Sequence, residues 1–303
     1  MKRAVIIDTY PSSDKEISIL KKCVDTYKDK LDIVIVTHLP VTIEGADYVI
    51  YDKNNTFLPP HLTPYFWLRN ESFDVEIYNA GHTLPICRNM SNGIHLCQSL
   101  GYDEFIFTEA DVILTDNDQK KLFALMDEHK KMLFFKPEHF RDCDSYVYET
   151  LLFGGNTNYF LEKFKPPTNL EQWVQIPMGH TLELSFYERF SSDEEEFSII
   201  NQHSSEYFAE SEVNLLRYGL LNCVLLKNTE SPIPVLFIMN SLVSGERVFG
   251  KINNMDFIFH KSQFWMNQLK DDTIVELFDE KGNMLLKKYF TKETNTQGII
   301  RYK

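Results

Sequence analysis

The stretch FIFTEADVIL, Phe105–Leu114, begins as an apolar strand and then presents two carboxylates, Glu109 and Asp111, with only Ala110 between them. A short apolar run of this kind suits a strand buried on both faces, as in parallel sheets. Apolar residues resume at Val112, Ile113 and Leu114, so the strand is expected to run from Glu104 through the acids to Leu114, with Asp116 capping the next helix. On a strand, residues i and i+2 share a face, which sets the two acids side by side about 6.5 Å apart. Their repulsion there is about 0.6 kcal/mol in water and about 2.5 kcal/mol at an effective dielectric of 20. A partly enclosed pair therefore calls for a cation, and an oxygen-liganded Mg²⁺ or Mn²⁺ is the natural candidate. The plainer alternative is that both acids leave the sheet into solvent, with Asp111 as a turn residue.

Working outward, RAVIID near the start reads as a strand, and Ser13-Asp14-Lys15-Glu16 matches a capping box ahead of a helix with the apolar stripe Ile17, Leu20, Val24 and Tyr27. DIVIVTHL (32–39) and DYVIYD (47–52) follow as strands. Residues 54–80 are rich in Pro and aromatics without a clear period and read as a long loop over one edge. Thr83 and Pro85 open a helix whose apolar face is Ile86, Met90, Ile94 and Cys97, with Gly101 at its C-cap. Asp116-x-x-Gln119 caps a further helix with Leu122, Leu125 and Met126, and MLFF (132–135) is the next strand. Strands alternating with helices imply an α/β domain around a mostly parallel sheet. Past Pro137 the chain becomes more aromatic and less regular; the acidic run Asp193–Glu196 reads as a solvated face, and TIVELF and MLLKKYF around Asp279–Asn283 as a β-hairpin.

Bulk properties narrow the function. The 303 residues, 43% of them apolar, are enough for a sizeable core. A net charge of −13 leaves no general basic surface for nucleic-acid phosphates or an anionic membrane. The apolar run near the start is too short for a signal peptide or anchor, and no transmembrane segment is expected. Five scattered cysteines, none in a C-x-x-C pair, argue for reduced thiols and a cytoplasmic setting.

The order of parts carries a resemblance. A first strand ending in Thr9-Tyr10-Pro11, a second apolar strand, and then CRNMSNGIHLCQSLGYDEFIFTEADVIL resemble the A-R-N…G…D-x-D block of GT-A fold glycosyltransferases, especially the large inverting family that uses nucleotide sugars. The likeness spans roughly residues 2–190 and lies in motif order; Cys87 stands where a small Ala is usual, and Glu109 replaces the first acid of D-x-D. It implies a GT-A-like, Rossmann-type, mostly parallel sheet flanked by helices, with a nucleotide-sugar-binding half (1–115) and an acceptor-binding half (116–250) of the same domain, and a C-terminal extension with the hairpin (251–303).

The resemblance also implies roles. Asp111 would ligate Mn²⁺ or Mg²⁺, Glu109 would reach ribose or metal through water with Ala110 between them, and Thr9 and Tyr10 would line the nucleoside pocket. Arg88 and Asn89 would hold base or phosphate, with a solvated helix position or an ion pair with Glu109 as the rival role for Arg88; Asp52 would bind base or ribose, or be merely solvated. Gly154 and Gly155, read as a flexible turn before a short helix, would let backbone approach the sugar. Glu183, leading an E-x-x-F-x-x-R helix, is the candidate general base, with Glu188 as its competitor. His260 is the candidate third metal ligand, with His180 and His203 as rivals. Trp173, Phe186 and Tyr187 would stack on a sugar ring or pack the core. The expected partners are a nucleotide-diphosphate sugar donor and a glycan or other hydroxyl acceptor, and the expected activity is metal-dependent transfer with inversion. Two rivals are a sugar nucleotidyltransferase, disfavoured because DTYPSSDK after the first strand lacks glycine, and a non-catalytic carbohydrate-binding relative.

Overall fold

The computed structural model describes residues 2–11, 14–37, 39–53, 67–70, 75–79, 83–128, 131–137, 147–165, 182–212, 220–228, 230–241, 247–260, 264–291, 293–294 and 298–302. They fall into two units: residues 1–56 with 83–217, and residues 57–82 with 218–303. The boundary differs from the expected one: the unit that holds the two halves of the first domain ends at 217, and the second unit starts at 218 rather than 251 and includes residues 57–82.

Period-two burial builds the first unit. In β1 (Arg3–Thr9), Ala4 and Ile6 pack with Ile86, Met90 and Ile94 of α2 (Thr83–Ser99), while Val5 and Ile7 pack on the other face with Leu20, Val24 and Tyr27 of α1 (Asp14–Tyr27). The neighbouring strands are β2 (Asp32–Thr37) and β3 (Tyr48–Tyr51) on one side and β6 (Glu104–Glu109) on the other, all parallel to β1. Beyond β6 lie β8 (Leu152–Asn156), which runs antiparallel to both its neighbours, then β7 (Met132–Phe135) and, parallel to it, β9 (Phe197–Ile200). The sheet order is β3-β2-β1-β6-β8-β7-β9, so the expected mostly parallel sheet is present with a single reversed strand. Helices α4 (Thr157–Lys163) and α5 (Leu182–Phe190) add Phe160, Phe186 and Phe190 to the α2 face; α3 (Asp116–Glu128) adds Leu122 and Met126 to the α1 face. Phe186 thus packs the core, and the Tyr187 ring lies 5.4 Å from that of Tyr148.

Helix α2 ends as expected. Tyr102 N–H donates to the Cys97 carbonyl (2.9 Å), Gly101 N–H donates to Gln98 (3.1 Å), and Gly101 takes φ +73°, a Schellman close that favours glycine.

Several local expectations are corrected. The strand after α2 stops at Glu109: Val112 N–H donates to the Glu109 carbonyl (3.2 Å), so Ala110 and Asp111 form a tight turn, and the apolar residues beyond it bury in the α1-side core instead of extending the sheet. Helix α3 is capped by Thr115, whose hydroxyl accepts from Asp118 N–H (3.2 Å), one residue before the expected cap. The glycine pair is no turn. Gly154 and Gly155 lie in the middle of β8, where an added Cβ would stand 2.7 Å from the Phe105 carbonyl oxygen and 2.5 Å from that of Lys131, so close strand packing accounts for both. The acidic run is a short 3₁₀ segment (Ser191–Glu196) and not a free solvated face: Asp193 accepts from the Tyr159 hydroxyl (2.6 Å) and Lys163 (2.7 Å), and Glu194 from Tyr148 (2.6 Å) and Lys136 (2.7 Å). Ser13 lies outside the described residues.

The second unit is two antiparallel-rich sheets around one core. Within the expected loop 54–80, the described residues form β4 (Trp67–Asn70) and β5 (Val75–Asn79). They join β10 (Leu220–Asn228), β11 (Val235–Ser241), β14 (Phe264–Gln268) and β17 (Gly298–Tyr302) in the order β14-β11-β10-β17-β5-β4. β5 pairs antiparallel with β4 on one side and with β17, far along the chain, on the other, so the partner that joins this short hairpin to the sheet is distant in sequence. The second sheet is β13-β12-β15-β16, from β12 (Arg247–Ile252), β13 (Met255–His260), β15 (Thr273–Phe278) and β16 (Met284–Phe290). The expected hairpin is β15–β16. Its turn is tied by Asp279, whose side chain accepts from the backbone N–H groups of Lys281 (2.9 Å) and Asn283 (2.7 Å). Cys223, Leu225, Leu236 and Ile238 from the first sheet share a core with Val248, Val275, Leu277 and Leu286 from the second. Among the described residues no helix is long and apolar enough to cross a membrane.

Candidate active site

The alternation that buries Ala4 and Ile6 under α2 carries Asp8 to the same face, and the alternation of Phe105 and Phe107 does the same for Glu109. Asp8 and Glu109 are register partners across the parallel β1–β6 pair, which places them on adjacent strands about 4.8 Å apart. Two apolar rows therefore end in adjacent acids at the carboxyl end of the sheet. Ala110 N–H donates to the Asp8 carbonyl (2.9 Å), which fixes the start of the Ala110-Asp111 turn against β1. Asp111 is 5% exposed, and Glu109 is half-buried.

Charge is concentrated here. Burial pushes the Glu109 carboxyl well above its ordinary range, and the acids Asp111, Asp8, Glu183 and Glu149, in that order, push it further. Asp8 is pushed up to about 7 by burial, only partly offset by Asn89 Nδ2, which donates to its carboxylate at 2.6 Å, and by the Thr9 backbone. Two strands, a turn and α5 thus bring together Asp8, Glu109, Asp111 and Glu183. Cys87, fully buried, has its thiol pushed up by burial and then by Glu183 and Asp8, and Cys23 by burial and then by Asp111. These two thiols, with Cys97 and Cys223, are free and buried; Cys143 lies outside the described residues.

Glu183 sits in the first turn of α5, with its backbone carbonyl accepting from Tyr148 N–H (3.3 Å). Its competitor Glu188 is on the exposed side of that helix. Thr9 is buried at the end of β1, and the adjoining Tyr10 has its hydroxyl pushed up by burial and then by Glu16. Arg88 and Asn89 are both engaged within the protein. Arg88 pairs with Asp52 (2.8 Å), which also accepts from Asn92 Nδ2 (3.3 Å), and Asn89 is buried against Asp8. Asp52 is therefore not merely solvated, and the partner acid of Arg88 is Asp52. Gly154 and Gly155 have the packing role given above. His260 lies on β13 in the second unit, and its side chain, like all of His180 and Trp173, lies outside the described residues. His203 Nδ1 is 3.9 Å from Glu149.

Asp8 and Glu149 are the residues that sequence reasoning missed. A signal for Asp8 existed, since RAVIID ends in an acid on a strand parallel to the one ending at Glu109. Glu149 had none: its oxygens accept from the Ser204 backbone N–H and hydroxyl, each at 2.8 Å, at the start of α6 (Ser204–Tyr207). It anchors that helix while adding its charge to the group.

No known family profile matches the chain, and no curated protein does. Solved structures do. A protein of Desulfovibrio desulfuricans G20 proposed to be a nucleotide-diphospho-sugar transferase is similar over 66% of this chain and 80% of its own, at 8% identity and a TM-score of 0.37. The glycosyltransferase GlyE of Streptococcus pneumoniae TIGR4 is similar over 69% of this chain and 49% of its own, at 12% identity and a TM-score of 0.39. TarS of S. aureus, in residues 1–349, is similar over 59% of this chain and 55% of that one, at 13% identity and a TM-score of 0.33. This chain thus spans about half the length of the GlyE chain. The sheet of the first unit is mostly parallel, with one reversed strand, and has helices on both faces.

A divalent cation suits the donor set. The acids are hard oxygen ligands that act on one another unfavourably, and each of the four side chains acting on Glu109 is itself an acid. Among the described residues no three or more His, Cys, Asp and Glu side chains are gathered as a ligand set. A cation here would thus rest on Glu109 and Asp111, with water and phosphate oxygens from a substrate completing its shell, as Mg²⁺ favours.

Proposed function

We propose that the chain is a metal-dependent glycosyltransferase that moves a sugar from a nucleotide-diphosphate donor to a hydroxyl acceptor with inversion. The carrying observation is the group of mutually repelling acids, Asp8, Glu109, Asp111 and Glu183, at the carboxyl end of parallel strands, where ligands collect in open α/β sheets. A bound Mn²⁺ or Mg²⁺ supplies charge neutralisation to the diphosphate as it leaves. Glu109 and Asp111 hold the cation. Asp8, oriented by Asn89, adds a negative field beside them, and Thr9 and Tyr10 close the nucleoside side.

Glu183 accepts the acceptor hydroxyl's proton on its carboxylate. The oxygen then bonds to the anomeric carbon from the face opposite the diphosphate, and the bond from that carbon to the phosphate oxygen breaks. The diphosphate departs with its electron pair, and the anomeric configuration inverts. Asp8 and Asp111 are buried, and the lower effective dielectric of a partly enclosed site strengthens each electrostatic contribution.

The test is a thermal-shift screen of UDP, GDP, CMP and dTDP forms with and without Mn²⁺, followed by donor hydrolysis. One base class is expected to stabilise the protein only with metal, and slow release of sugar to water should follow. Asp111→Ala is expected to abolish both the metal-dependent binding and the hydrolysis. Unchanged values in that variant reject the reading, and release of pyrophosphate from a nucleoside triphosphate plus a sugar phosphate replaces it with nucleotidyl transfer.

A further inference from the structure

The four-stranded sheet of the second unit buries one face and leaves the other open. Along β12, Val248, Gly250 and Ile252 are buried and Arg247, Phe249 and Lys251 are not. The pairing registers align the open residues into rows that cross all four strands. One row is apolar: Ile258 on β13, Phe249 on β12, Phe278 on β15 and Met284 on β16. Ile258 and Met284 are each 54% exposed. The next row is charged and alternates in sign: Asp256, Lys251, Glu276 and Lys287 in the same strand order. Within it Lys287 pairs with Glu276 at 2.6 Å, and Lys251 lies 3.8 Å from Asp256. On the far side of the charged row, Ile274 and Tyr289 face each other, 41% and 58% exposed.

An apolar row across every strand of a sheet marks an interaction surface. We propose that this face binds the same face of a second copy of the chain, about a two-fold axis that lies in the interface parallel to the strands. The charge order selects both partner and axis. Rotation about that axis keeps each row at its height and reverses its order, so a negative, positive, negative, positive row meets its complement: Asp256 faces Lys287 of the other copy, and Lys251 faces Glu276. The apolar row then meets itself reversed. An axis along the rows would instead set each charge against its own copy. A surface that complements itself under one two-fold rotation is what an isologous dimer needs, and matched signs fix its register. Strands about 4.8 Å apart and six residues of about 3.3 Å make a face roughly 20 Å on a side. That is below the ~800 Å² per partner of a standard interface, so the dimer is a weak, concentration-dependent one.

Sedimentation velocity of the full chain from about 1 to about 100 μM, roughly the range expected for a weak interface of this size, tests it. The expected result is a monomer–dimer equilibrium that Lys251→Glu with Lys287→Glu weakens about tenfold or more. The four-fold exchange Asp256→Lys, Lys251→Glu, Glu276→Lys and Lys287→Glu keeps every alternation within the chain and across the axis. It is expected to dimerise with itself and, mixed with the unaltered chain, to form no mixed dimer, read by native mass spectrometry. A monomer at every concentration, a dimer indifferent to the double substitution, or free mixing of the exchanged and unaltered chains overturns the proposal.

Discussion

Asp8 ends an apolar strand with a carboxylate that burial holds at about 7, and one amide donor does not cancel that cost. A carboxyl raised in the folded state stabilises the protein fully below its unfolded value of 3.8 and loses that contribution as pH rises through about 7. Asp8→Asn should therefore raise the melting temperature at pH 8 by several degrees, with the gain shrinking steadily as pH falls toward 3.8, because a shift of this size is worth on the order of a few kcal/mol. Equal effects at both ends of that range would show that Asp8 is not the titrating group. The same residue marks a limit of sequence reading. Glu109 and Asp111 are conspicuous because they interrupt an apolar run, whereas Asp8 looks like a strand end until the β1–β6 register sets it beside Glu109.

At the scale of elements, β8 shows how a close backbone approach decides residue choice. Gly154→Ala would put a methyl group 2.7 Å from the Phe105 carbonyl oxygen and 2.9 Å from the Met126 sulfur, and a loss of about 2 kcal/mol is expected in urea unfolding. The 3₁₀ segment gives a second expectation. Lys163 and Tyr159 hold the Asp193 carboxyl well below its ordinary range, and Lys136 and Tyr148 hold Glu194 low against the upward push of its burial. Both contributions are present above the unfolded values of 3.8 and 4.5 and fade as pH falls through the lower folded ones. The urea midpoint should drop as pH is lowered below about 4, and Asp193→Asn with Glu194→Gln should flatten that drop.

Strands and helices with a strong local period, β1, α2, β6 and the β15–β16 hairpin, were legible because their burial pattern lies within a few neighbouring residues. The acidic run misled because its partners, Tyr148, Tyr159, Lys136 and Lys163, come from other elements, and β8 misled because two glycines look like a turn when the crowding that requires them is out of view. The short strands β4 and β5 were not read as sheet for a similar reason: the strand that joins them to the rest of the sheet is β17, at the far end of the chain.

For the whole molecule, separate cores in the two units predict two calorimetric transitions. A nucleotide-diphosphate donor with Mn²⁺ should move only the one belonging to residues 1–56 and 83–217; a shift of both by equal amounts would mean that the units unfold together. The excursion through 57–82 has a temporal consequence. On the ribosome β5 emerges early, yet the strand that completes its ladder, residues 298–302, is polymerised long afterwards. During that interval one edge of β5 is unpaired while residues 83–217 are made, and an unpaired edge of this kind is what a holdase shields.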